Sequence, residues 1–355
     1  MFPTQRLRSG LWRDQSATEP IMILRTRASR PATFDARRAQ TRQKDCRHNL
    51  AWRAIRSAAL AALAVAIAPW PAAAQSPTGM LSLMADSMPA ITPRPAAAGR
   101  APYIRLYALD CGRIEIADMD AFADGGQYAG RPGVLPSPCF LIRHPDGDLI
   151  WDTGIGDQFA GARGVTLLPG YQAFVTTTLK AQLSQLGLSP DKVRYLAFSH
   201  EHVDHIGNAN LFAKATWLLN KKEHDWVLAT ATPAGRLPAL LAASATARRR
   251  TITSDFDVFG DHSVMILQAP GHTPGHQVLL VRLPRSGPVI LAGDLYHSLE
   301  NRAKRRVPRF NTDRAQTLAS MDRIEGLARR LHARLVIQHA AEDIGRLPAF
   351  PRPLD

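Results

Sequence analysis

From Tyr103 onward, short apolar runs alternate with clusters of turn residues. Residues 104–109, 139–142 and 149–151 read as successive strands, the last two joined by a hairpin turn at Pro145-Asp146-Gly147-Asp148. Residues 118–138 contain Gly and Pro without a period and read as a long loop; a loop of that length inside a domain is usually functional or mobile. Residues 179–188 carry Leu and Gln at helical spacing, and Gly187 with Pro190 ends them. Residues 193–198 form a buried-strand pattern that runs directly into His200, and residues 221–247 read as helix broken around Pro233 and Pro238. Further strands are expected at 264–267, 278–281, 289–292 and 335–338, with an amphipathic helix over 312–331. Strands and helices in alternating blocks predict one mixed α/β domain over residues 101–355.

The pattern differs before that domain. Residues 75–100, rich in Pro, Ala and Ser, read as a linker or N-terminal arm. Residues 1–74 read as a leader: Arg47, Arg53 and Arg56 precede an uncharged Ala-rich stretch over 57–68, and Ala72-Ala73-Ala74 follows. A basic stretch, a short apolar core and small residues at a cleavage point describe a secretory signal, with cleavage expected after Ala74 and the mature protein periplasmic or secreted. The apolar core is too short to be a stable membrane anchor. Residues 1–45 exceed what a signal requires, and Met22 is an alternative start. The net charge is +14, but the leader holds 13 Lys/Arg against 4 Asp/Glu and the remainder 31 against 26. Most of the excess therefore belongs to the leader, and with no basic arm or aromatic stripe visible, nucleic acid is not an expected partner.

Of three cysteines, Cys111 and Cys139 remain after the leader; neither belongs to a CxxC pair, so a thiolate metal site is unsupported, while one disulfide is permitted. The informative segment is His200-Glu201-His202-Val203-Asp204-His205, which places three imidazoles and a carboxylate at the end of an expected strand. Strand side chains alternate, so His200 and His202 aim the same way before the chain turns to bring Asp204 and His205 around a second point. Imidazole with carboxylate suits zinc and also iron, cobalt or manganese. Four ligands cannot fill two tetrahedral sites, and further apolar runs stop at His272, Asp294 and His339. Glu201 faces away from its neighbours as a solvated or supporting residue, and His224, His262 and His332 read as surface residues.

Asp152, His200 to His205, His272, Asp294 and His339, in that order, resemble the five motifs of the metallo-β-lactamase superfamily over roughly residues 103–339. The resemblance implies a four-layer αββα sandwich with its site at the upper edge of two sheets. It implies two divalent metal ions, with zinc the expected metal. His200, His202 and His272 would hold one, Asp204, His205 and His339 the other, and Asp294 would bridge them. Asp152 would orient the ligand loop through hydrogen bonds, and His276 would serve a structural hydrogen bond.

Two ions sharing a water bring its pKa to about neutrality, which fits the absence of a serine or cysteine nucleophile motif. Asp294 stands where a zinc β-lactamase would usually place cysteine, His202 where a flavodiiron protein would place a carboxylate, and only 16 residues follow His339, too few for the helical tail of a glyoxalase II. Residues 106–112, 138–145, 151–154 and 293–297 are similar to the N-acyl-homoserine lactonase branch, implying that a lactone ring is opened. In that branch a tyrosine three places after the bridging aspartate meets the substrate. Here His297 stands there and Tyr296 one place early, so both are candidates, with Asp204 to hold the nucleophile's proton. Asp294-x-x-His297 also resembles methyl parathion hydrolases, which makes an exported phosphotriesterase the alternative. Phe122, Leu168 and Tyr171, with Leu167 and Phe174, are candidates to line an acyl groove. The expected partner is a small ester or lactone, with a homodimer admissible; Arg302, Lys304, Arg305, Arg306 and Arg309 form a cationic run that reads as surface or as an attractor of anions.

Overall fold

The computed structural model describes residues 103–229 and 237–355; the expected leader over 1–74, with its cleavage point, and the 75–100 arm lie outside the described residues. In chain order the strands are β1 (Arg105–Leu109), β2 (Arg113–Ile116), β3 (Gly133–Pro136), β4 (Cys139–His144), β5 (Gly147–Trp151), β6 (Val165–Leu168), β7 (Tyr171–Phe174), β8 (Tyr195–Ala197), β9 (Thr216–Asn220), β10 (Arg248–Ile252), β11 (Phe256–Asp257), β12 (Val264–Gln268), β13 (Gln277–Leu283), β14 (Gly287–Leu291) and β15 (Arg334–Val336). The helices are α1 (Leu179–Gln185), α2 (Val203–Ile206), α3 (Lys221–Ala229), α4 (Leu237–Leu240), α5 (Leu299–Lys304), α6 (Arg314–Leu331) and α7 (Ala341–Gly345). One sheet runs β1-β4-β5-β8-β9-β10, a second β11-β12-β13-β14-β15, and a small third sheet β3-β2-β7-β6.

Two-residue alternation builds the layers. Leu106, Phe140, Ile142, Leu149, Trp151, Ala197 and Leu218 leave the first sheet on one face and meet Val264, Ile266, Leu279, Val281, Val289, Leu291 and Val336 of the second. Their strand neighbours point the other way: Tyr107, Leu141, Ile150, Leu196 and Trp217 pack with Leu179 and Leu183 of α1 and Val227 of α3. Val278, Leu280, Ile290 and Leu335 pack with Met321, Ile324 and Ala328 of α6. Each large sheet is thus buried on both faces, which explains why its strands read as continuous apolar runs, and the four layers are helix, sheet, sheet, helix.

The structure departs from the expected elements where the sequence has no clear period. The loop expected over 118–138 contains a 3-10 turn, Met119–Phe122, and strand β3, and the candidate groove segment over 167–174 belongs to the β6–β7 hairpin; both join the third sheet around Ile114, Ile116, Leu135 and Ala173. The broken helical stretch expected over 221–247 holds α3, α4 and a 3-10 turn, Ala242–Ala245, among the described residues, and β10, which was not expected, follows as an edge strand whose first four residues are exposed, so no alternation marked it. Cys111 and Cys139 form a disulfide with Cα atoms 5.7 Å apart, joining the end of β1 to the start of β4. The chain end returns to β1, where Leu354 exchanges two 2.8 Å backbone hydrogen bonds with Leu106. Among the described residues no helix is long and apolar enough to cross a membrane.

Candidate metal centre

The exits of five strands, β5, β8, β12, β14 and β15, converge at one edge of the two large sheets. After β8 the chain bends at Ser199 and reaches the N-cap position of α2 at His202, itself extended with φ −74° and ψ 157°. His200 and His202 therefore project from the segment between β8 and α2, and Asp204 and His205 from the first turn of α2. His272 follows β12, Asp294 follows β14 and His339 follows β15. Their donor atoms form two groups, His200, His202, His272 and Asp294 in one, Asp204, His205 and His339 in the other, with the atoms of each group within 4.8 Å of one another.

Asp294 stands between the groups. Its Oδ2 lies 3.3 Å from His272 Nε2 and 3.6 Å from His200 Nε2, while its Oδ1 lies 2.9 Å from His339 Nε2 and 3.2 Å from His205 Nε2. Asp204 Oδ2 lies 3.7 Å from His339 Nε2. Gly293 lets Asp294 approach, because a Cβ there would stand 2.6 Å from Ser199 Cβ and 2.7 Å from His276 Nε2.

The imidazoles of His205, His272 and His339 are each aimed by the nitrogen that faces away from the cluster, the arrangement by which histidine ligands are usually oriented. His205 Nδ1 lies 3.0 Å from Asp152 Oδ2, His272 Nδ1 3.2 Å from Asn311 Oδ1, and His339 Nδ1 2.6 Å from the Pro136 carbonyl. Asp152, at φ 56° after β5, also accepts from the Ser199 amide at 2.6 Å and from Gln338 at 2.8 Å, so one carboxylate ties three segments. His276 has the expected structural role: its Nδ1 meets the Ala269 carbonyl and its Nε2 accepts from the Asp294 amide at 2.9 Å.

Burial and neighbouring cations hold His200 well below the usual imidazole range, and burial lowers His202 to about 3, so both carry free lone pairs at neutral pH. Burial opposes charge on His205 too, but Asp294, Asp204 and Asp152 raise it well above the usual value. Asp294 is kept ionised by the surrounding histidines despite its burial. His205 Nε2 and Asp294 Oδ1 are buried without a hydrogen-bond partner, a costly state in a protein interior. Orphaned atoms facing each other within a nitrogen and carboxylate donor set fit divalent cations.

Of the two substrate-contact candidates, only His297 faces this centre. Its Nε2 lies 3.0 Å from Asp294 Oδ2, and burial lowers its pKa to about 4. Tyr296 is corrected: its ring packs among the residues beneath α6 and its hydroxyl donates to Glu325 at 3.0 Å, because neighbouring side chains on extended backbone point apart. Phe122 does reach the site, its ring 5.3 Å from His297, and Tyr171 stands behind it at 6.5 Å. Leu168 is also corrected, since it is 57% exposed while Leu167 turns inward.

Phe310 was missed. Its ring lies 5.2 Å from Phe122 and 5.8 Å from both His272 and His297, yet it is 45% exposed. A single aromatic after a charged run was the only available signal. The run itself is largely neutralised: Arg302 pairs with Glu325, Arg305 with Asp322, Arg306 with Glu300 and Arg309 with Asp120. His262 and His332 are exposed as expected, but His224 is half-buried against Glu201, and Glu201 is buried rather than solvated.

Residues 132–339 match the family model of the metallo-beta-lactamase superfamily. The chain is similar to N-acyl homoserine lactonase AttM of Azorhizobium caulinodans, at 30% identity over 271 residues that cover 70% of this chain and 97% of that one. It shares its fold with an N-acyl homoserine lactone hydrolase solved with the product N-hexanoyl-L-homoserine at its catalytic metal centre, at a TM-score of 0.61 and 24% identity over 70% of this chain and 98% of the other. AidC, a dizinc quorum-quenching lactonase, aligns at a TM-score of 0.53 and 20% identity over 68% and 90% of the two chains.

Proposed function

Because this chain belongs to the metallo-beta-lactamase superfamily, we propose that it is an exported N-acyl homoserine lactonase that binds two zinc ions and opens the lactone ester of acylated signalling molecules. The reading rests on Asp294, whose two oxygens face separate imidazole groups. His200, His202, His272 and Asp294 would hold one cation; Asp204, His205 and His339 would hold the other with Asp294 between. Two bound divalent ions supply an activated water at neutral pH and a Lewis acid for the ester carbonyl.

The chain's own residues supply the rest. Asp204 is half-buried beside His205 and His339, placed to take up the proton that the attacking water loses at its Oδ2. His297, neutral near pH 7, carries one N–H; its Nε2 lies beside Asp294 Oδ2 and its ring beside Phe122 and Phe310, so a substrate oxygen seated next to that carboxylate would accept it. The two phenylalanine rings keep water from that side and present an apolar wall to an acyl chain. Similarity to AttM over most of both chains favours a lactone over a phosphotriester.

The test is a panel of acyl-homoserine lactones, phosphotriesters and thioesters offered to the zinc-loaded protein, with His202→Ala as control. Rapid lactone opening is expected; intact lactones beside fast turnover of another ester would overturn the assignment. Export is supported by the Cys111–Cys139 disulfide, a bond characteristic of oxidising compartments. Mass spectrometry of the secreted fraction should find an N-terminus near Gln75, and a mature chain still carrying Arg53 contradicts export by cleavage.

A further inference from the structure

We propose that Glu223 is a positioning residue that sets the geometry of the His200, His202 and His272 group by holding two ligand loops with one buried carboxylate. Asn220 caps α3, its Oδ1 accepting from the amides of Lys222 at 2.9 Å and Glu223 at 3.4 Å. A glutamate three places after a cap ordinarily reaches back to the cap's own amide. Glu223 reaches away from its helix instead. Its Oε1 accepts from the Glu201 amide at 3.0 Å and its Oε2 from the Gly275 amide at 2.9 Å. The first amide lies between His200 and His202, and the second lies three residues beyond His272. These two loops are more than seventy positions apart in the chain, and Glu223 links them directly.

Glu223 is 2% exposed, so bulk water does not compete for either contact. Gly275 is required for the approach, because a Cβ there would stand 2.4 Å from the Glu223 nitrogen and 2.6 Å from its Cβ. His205 and His339 are held by other partners, Asp152 on His205 and the Pro136 carbonyl on His339. Glu223 thus acts on one group and not the other. A carboxylate is needed because both of its ends accept. Glu223→Gln keeps the shape but turns an NH2 donor toward one of two buried N–H donors, which opens one contact.

This inference rests on the two-metal reading, and the test separates them. The metal-loaded full chain and its Glu223→Gln variant are challenged with graded chelator, with metal content measured directly and cobalt-loaded samples followed by visible absorption. The wild type should hold two ions. The variant should lose one roughly 10–100-fold more readily, the order expected for a lost outer-shell partner, with a changed cobalt spectrum and the second ion held as before. Gly275→Ala attacks the same contact from the opposite loop and should reproduce this selective loss if Glu223→Gln does not fold. Two ions held with unchanged affinity, or both lost equally, would overturn the role of Glu223 alone. A wild type holding no metal fails the underlying reading and this inference with it.

Discussion

His297 Nε2 lies 3.0 Å from Asp294 Oδ2, while Tyr296, the residue between Leu295 and His297, sends its hydroxyl to Glu325 instead. The imidazole and not the phenol therefore borders the reacting space. His297→Ala should lower kcat by roughly 10²–10³, the range for a lost hydrogen-bond donor to a developing oxyanion, with both metals retained. Tyr296→Phe should keep its activity and lose about 0.5–1.5 kcal/mol of stability for the hydrogen bond to Glu325. Steady-state kinetics beside thermal unfolding decides the matter, and equal damage from both variants would refute the assignment.

Removing the metals should abolish hydrolysis and lower the unfolding temperature. Asp294 and the imidazoles around it would then share a buried space in which His205 Nε2 and Asp294 Oδ1 lack hydrogen-bond partners. Metal bound only by the folded state stabilises it by mass action. Chelation followed by calorimetry should show the drop and added zinc should reverse it; activity that survives in metal-free protein would be decisive against the mechanism.

Phe310 and Phe122 together present an apolar wall beside His272 and His297. Phe310→Ala should raise KM for long-chain acyl lactones by about tenfold, equivalent to ~1.4 kcal/mol of lost apolar burial, and affect short chains less. Leu168→Ala, at an exposed position of β6, should leave KM unchanged. A chain-length series on both variants checks this.

His224 Nδ1 lies 3.2 Å from a buried Glu201 oxygen, and the hydrogen bond to that carboxylate raises the His224 pKa above its ordinary value. A raised folded-state pKa adds stability that is complete below the unfolded pKa of about 6.5 and is lost as pH rises through the raised value. Glu201 is also raised, by its burial, which limits the gain at the acid end. His224→Gln should cost about 1–3 kcal/mol near pH 6 and less near pH 9. Urea unfolding at both pH values measures the difference, and a gap that widens with pH would contradict the ion pair.

Among particular residues, legibility followed the range of the interaction. The donors at 200–205, and His272, Asp294 and His339 at the ends of apolar runs, were visible because strand period and strand ends are local properties. The two-sided burial of β8, with Leu196 on one face and Ala197 on the other, was visible for the same reason. Strand β10, beginning with exposed arginines, has no such period, and the third sheet is built from four-residue strands among glycines, too short for the alternation of β2 to stand out; neither was seen.

The chain's local spacing alone thus determined a mixed α/β domain and which side chains could bind a cation. Only the folded arrangement decided that Cys111 bonds to Cys139, that His297 rather than Tyr296 meets Asp294, and that Phe310 and Glu223 belong beside the centre. Each of the contacts at Cys111, Phe310 and Glu223 joins positions that no local repeat connects, and the choice between Tyr296 and His297 depends on a single turn of backbone after β14. Such contacts are set by packing between distant segments, whereas strand periodicity is set by the covalent geometry of neighbouring residues.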